Sequence, residues 1–277
     1  MRKIILTMMG VILYVEASVS GVLIYNDGGF HEISTVINDD VQVADSATGA
    51  PTTVNIIAGG SIEEVLYTYD NSNINMSAGQ VHTFNALNNS NISIYGGAIG
   101  RLNGSGSTNL TITNVEITDG FYVNSNGSIN FSGGSVAGHF CVYDSTTIDF
   151  SGGVSSHILG AYDTSTVNIT GGIMDELRAW GYGTLNLHTG SIAYLDARDD
   201  GVINIYGKNL TMTSTGGSYG YGWVSGFWAN DVSFTIDFNN AEAHTHVNMI
   251  PEPATFLLLG LGGLLLRKRS YIRHRNS

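Results

Sequence analysis

INFSGGS at 129–135, IDFSGGV at 148–154 and VNITGGI at 167–173 are one pattern written three times. Looser copies stand at 54 (VNIIAGG), 74 (INMSAGQ), 92 (ISIYGGA), 110 (LTITNVE), 185 (LNLHTGS) and 203 (INIYGKN). Successive anchors lie 20, 18, 18, 19, 19, 19, 18 and 18 residues apart. A fixed period of this length marks a repeat architecture. The anchor and the residue two later are apolar, as in Ile129/Phe131, Ile148/Phe150 and Leu185/Leu187. The residue between them is polar: Asn130, Asp149, Asn186. That alternation is a strand with one buried face.

A second strand precedes each anchor. Eight residues before it stand Leu66, Phe84, Leu102, Phe121, Phe140, Leu159, Leu177 and Leu195. Six before it stand mostly small residues, from Thr68 and Ala86 to Ala179 and Ala197. A further apolar position follows Gly-Gly, at Val136, Val154, Ile173 and Ile192. No single repeat can bury these residues, but stacked coils can, because each column continues from coil to coil. The spacing predicts an all-β fold, a single-stranded parallel β-helix over residues 21–240. Right-handed winding is expected from the usual hand of parallel crossovers. A propeller blade needs about 40 residues or more, and a sandwich keeps no such period. Residues 21–50 and 216–240 lack the pattern and are expected as irregular caps. Trp223 and Trp228 are read as covering the final coil, with a sugar-gripping aromatic patch as the alternative.

The termini carry different information. Arg2 and Lys3 precede an apolar stretch at 4–15, and small residues follow at Ala17, Ser18 and Ser20. That is the order of a secretory signal peptide, read over residues 1–20. Residues 241–250 read as a spacer. Pro251-Glu252-Pro253 then opens a short apolar run, 254–266, closed by Arg267-Lys268-Arg269. Prolines keep the triplet out of a helix. The run is short for a bilayer span of about 20 residues, and the basic cluster favours the cytoplasmic side. A plain membrane anchor is the bland reading. The combination over 251–277 resembles the PEP-CTERM sorting signal of Gram-negative envelope proteins. The resemblance implies processing by exosortase, a membrane-embedded cysteine peptidase. It also implies export across the inner membrane to the cell surface or the extracellular space, transient anchoring by a short C-terminal hydrophobic helix, and association with exopolysaccharide matrices.

Seven of the eleven basic residues lie in these terminal segments. Residues 21–250 hold four basic residues against 21 acidic ones, a net charge of −17. Such a body repels phosphate backbones, which excludes nucleic acid as a partner. The lone Cys141 cannot form an internal disulfide and reads as a tolerated thiol.

Candidate chemistry is sparse. Asp70, Asp144, Asp163 and Asp199 align four residues before the anchor, but Asn88, Gly106 and Gly181 share that position. Asp, Asn and Gly together are turn chemistry. Asp199-Asp200 beside Arg198 also reads as a turn. His244 and His246 could face one way on a strand, but a solvated linker is the simpler reading. Asn-X-Ser/Thr sequons at Asn91, Asn109, Asn130 and Asn168 follow from the repeat itself. No catalytic residue, metal site or cofactor is assigned. Calcium would need a carboxylate cluster that the sequence does not single out. The reading favours a non-enzymatic structural or adhesive component of the envelope or polysaccharide matrix. A β-helix polysaccharide lyase or hydrolase and a carbohydrate-binding module stand as alternatives, since the fold does not choose among them.

Overall fold

The computed structural model describes residues 21–252 and a short antiparallel pair, Thr7–Met8 with Val11–Ile12. The remainder of the expected signal peptide and the segment from Pro253 onward lie outside the described residues. The described body is a parallel β-solenoid of about ten turns.

Each turn presents three strand faces. The anchor strands form one uninterrupted parallel ladder, in which Ile74 pairs with Ile92, Ile92 with Leu110, and so on to Leu185 with Ile203. The second face stacks the large column as expected: Leu66, Phe84, Leu102, Phe121, Phe140, Leu159, Leu177 and Leu195 are successive partners. All of these side chains are buried. Phe121 and Phe140 stack with centroids 4.4 Å apart, and Phe131 and Phe150 stack at 5.1 Å. Aromatic rings from the anchor and the large columns, repeated at the rung spacing, therefore fill the middle of the core.

The third face corrects one expectation. Val154 and Ile173 do not point inward. Val136 pairs with Ser155, and Met174 with both Ser155 and Ile192. Ser155 and Met174 are each 1% exposed, whereas Ile173 is 56% exposed. Inward residues on this face sit seven after the anchor in each of these turns, so register overrides apolarity. The Ser155 hydroxyl is buried with no hydrogen-bond partner, the local cost of that register.

Both ends also depart from expectation. Residues 21–50 are not an irregular cap. Val22–Tyr25, Phe30–Ile33 and Val36–Ile37 form the first turn, pairing in parallel with Asp40–Val43, Thr53–Ile56 and Ser61–Thr68. At the other end the chain folds back. Trp223–Phe227 pairs antiparallel with Val202–Thr213 and with Ser233–Phe238. Phe238 then extends the large column as the partner of Leu195.

The corners explain the recurring turn residues. Asp70, Asn88, Asp144, Asp163 and Asp199 have φ between 55 and 60°, and Gly106 and Gly181 sit there at 81° and 64°. Asp, Asn and Gly tolerate this left-handed conformation. The second glycine of the Gly-Gly pair is similarly fixed: Gly97, Gly134, Gly153 and Gly172 have φ of 96–99°. A Cβ on Gly134 would also lie 2.1 Å from the Val115 carbonyl oxygen. Gly134→Ala is therefore expected to destabilise the protein by about 1–3 kcal/mol, read as a lowered denaturation midpoint with an unchanged slope.

Candidate functional site

Two regions carry polar order beyond the repeat: a charged and aromatic cluster on the second face, and the last rung with its outgoing chain.

The cluster occupies outward positions in the last turns. Glu176, Arg178 and Trp180 alternate with inward Leu177 and Ala179, and Tyr194, Asp196 and Arg198 stand beside them on the next turn. Asp196 is buried, and three groups converge on it. Arg178 Nε lies 3.4 Å away, Arg198 Nε donates at 3.1 Å, and the Asn240 amide donates to Oδ1. Arg178 also forks onto Glu176, with Nε at 3.0 Å, and Asn239 donates to the other Glu176 oxygen at 2.8 Å. The guanidinium carbons of Arg178 and Arg198 lie 4.5 and 4.8 Å from the Trp180 ring centroid. Tyr143 and Tyr162 extend the aromatic row, stacked at 4.9 Å. Burial pushes the Cys141 thiol up, and burial likewise pushes the Tyr143 hydroxyl up to about 12. A thiol held in its neutral form is a poor nucleophile.

This network serves docking. Asn239 and Asn240 lead out of the hairpin, and their amides pin that chain to the rod. Arg198 is bonded to Asp196 and not to Asp199-Asp200, where the sequence first drew attention. The remaining body cations are also committed, Arg101 to Asp119 and Lys208 to Asp231. Sequence reasoning missed Asp196. The available signal was Glu-X-Arg-X-Trp at 176–180 followed one turn later by Tyr-X-Asp-X-Arg at 194–198.

The turn aspartates behave as corners. The Asp144 amide donates to Asp163 Oδ2 at 3.3 Å, so one carboxylate caps the neighbouring turn. The outward asparagines form ladders. Asn168 donates to Asp149 at 2.8 Å, Asn186 to Asn168 at 2.9 Å, Asn204 to Asn186 at 2.8 Å and Asn248 to Asn204 at 3.0 Å. The sequon side chain of Asn168 is thus part of a structural chain of amides.

The two candidate sugar contacts separate. Trp228 is 2% exposed, stacks on Phe234 at 3.8 Å, and donates its indole N–H to the Gly190 carbonyl at 3.1 Å. It covers the rod and is not available to a ligand. Trp223 is half-buried in the hairpin, with Tyr219 and Tyr221 exposed nearby in sequence. A shallow groove of about 260 Å³ lies on the third face, lined by Ser155, Ile173, Met174, Asp175 and Ile192 among others. Asp175 is the one charged group in that lining.

The stretch read as a spacer is folded. Ala243–Thr245 forms a 3₁₀ turn, and His246 Nδ1 lies 3.0 Å from the Gly201 carbonyl oxygen. His244 and His246 therefore do not share a strand face. Val247–Pro251 then lies parallel to residues 203–207, pairing Val247 with Ile203, Met249 with Ile205 and Pro251 with Gly207. Glu252 N–H donates to the Gly207 carbonyl at 3.0 Å. Proline is admissible here because the strand is an edge. Two residues of the Pro-Glu-Pro triplet thus belong to the last rung. Pro253, Arg267, Lys268 and Arg269 lie outside the described residues.

Fold and site define a β-solenoid whose final strand runs directly into a C-terminal sorting segment. Residues 250–270 match the family model of the PEP-CTERM protein-sorting motif. The motif implies an exported protein that is sorted at the membrane and processed by exosortase. No curated protein and no solved structure matches the chain.

Proposed function

We propose that this protein is a structural or adhesive component of a Gram-negative cell surface or its polysaccharide matrix, released there when exosortase removes the C-terminal segment. The observation that carries this reading is the junction itself: a sorting motif joined without a linker to a long, regular rod. The rod supports it in a second way. Its four cations are held by carboxylates, so the surface it offers is acidic and hydrogen-bonding. Polysaccharide contact falls to the exposed aromatic residues of the hairpin end, Tyr219, Tyr221 and Phe227 with half-buried Trp223.

Processing tests the reading. Mass spectrometry of surface-released protein from a host that carries exosortase is expected to find no peptide from 254–277. Replacing Pro251, Glu252 and Pro253 by alanine should leave the uncut chain in the membrane fraction. An intact C-terminus on mature wild-type protein would reduce the segment to a plain anchor.

A further inference from the structure

The sorting motif begins at residue 250, inside the strand Val247–Pro251. One edge of that strand is taken up by residues 203–207, and Glu252 is bonded to Gly207. A peptidase that reads an extended backbone meets a segment with one of its two hydrogen-bonding edges already occupied. The folded rod also stands within a residue or two of the motif, which crowds a membrane-embedded active site.

The attachment is built to be weak. Of the five strand residues only Val247 is buried. Met249 occupies an inward column yet is 39% exposed. Pro251 has no N–H to give the ladder. Beyond the ladder, side-chain bonds come from Asn248 to Asn204 and from His246 to Gly201. Few buried contacts and an edge position place a segment at the low end of local stability. The Asp196 and Glu176 network, by contrast, grips Asn239 and Asn240 just upstream. The firm hold therefore ends before the last rung begins.

From these observations we infer that Val247–Pro251 is a releasable strap whose detachment controls the access of the sorting peptidase to the Pro-Glu-Pro segment. This rests on the sorting reading above. Freed residues 247–252 span roughly 20 Å when extended. That reach lets the segment enter an active site at the membrane while the rod stays folded behind its Asn239–Asn240 clamp.

A cross-link tests it. Asn204 and Asn248 are partners on adjacent parallel strands, both on the outward side. Strands about 4.8 Å apart fall within the Cα separation a disulfide accepts. In the double variant Asn204→Cys/Asn248→Cys, a closed bridge should suppress opening by about a hundredfold or more. Pulse-chase in an exosortase-carrying host should then show the uncut chain accumulating, with cutting restored by a reductant. Each single cysteine variant should be cut at least as fast as wild type. A loosening variant, Val247→Ser with Asn248→Ala, should be cut faster than wild type. Equal rates for the bridged, loosened and wild-type chains would overturn the strap. Wild type uncut in that host would overturn the sorting reading, and the strap with it.

Discussion

Leu159→Asp is expected to lose at least about 3 kcal/mol and to melt far below the wild-type protein. Leu159 is fully buried and pairs with Phe140 on one side and Leu177 on the other. An aspartate there has no cation within the column and must either ionise in an apolar layer or bind a proton. Either state breaks the large column in the middle of the rod. Stability in a solenoid is approximately a sum of turns and their interfaces, so the loss falls on two interfaces at once. Thermal melting followed by circular dichroism measures it. Leu159→Ala should cost less than Leu159→Asp, since it leaves a cavity but buries no charge or unpaired polar group. A Leu159→Asp protein that melts like wild type would mean that the column is not where the register puts it.

Asp196→Ala is the second large effect, at about 3 kcal/mol. The figure sits at the low end for a buried ion pair because the Arg198 side chain is half-exposed and can be rehydrated. Arg178 keeps Glu176, but Asn240 loses its acceptor. Asp196→Asn should recover part of the loss, since an amide oxygen still accepts from Asn240. The readout that separates this from simple core damage is local. Hydrogen exchange should rise first at the Asn239 amide, which donates to Leu195 at 2.9 Å, and across the hairpin behind it. Uniform loss of protection along the whole rod would assign Asp196 to global stability instead.

The columns were legible because their spacing is periodic and each face alternates. The anchor and large columns needed only counting from Val54 to Ile203. The third face was misread at Val154 and Ile173 because apolarity was followed where constant spacing should have been. The corner aspartates were legible by substitution, since Gly106 and Gly181 fill the same place as Asp144 and Asp163. The first turn was hidden because its strands, such as FHEI at 30–33, lack the Asn and Gly-Gly marks. The last rung was hidden for another reason. VNM at 247–249 repeats the anchor pattern, but it stands 44 residues after Ile203 because the hairpin intervenes. The sorting motif itself was legible from three prolines-and-charges marks, Pro251, Pro253 and the basic cluster at 267–269. That its first residues are folded onto the body could not be read from them.

The distance along the chain between paired strands has a consequence for export. Through the repeats, partners are about 18–20 residues apart. Contacts that local close quickly, because little loop entropy is lost in making each one. A chain delivered from its N-terminus can therefore lay down turns in order, each new turn templated by the one before it. The final pairing waits for the 44-residue detour to arrive, so it is the last event of assembly. A truncated or stalled chain never completes it. Until that pairing forms, residues 247–252 are free of the ladder, so the sorting peptidase meets its signal loose on a chain whose last rung is unmade and held on one that is fully wound.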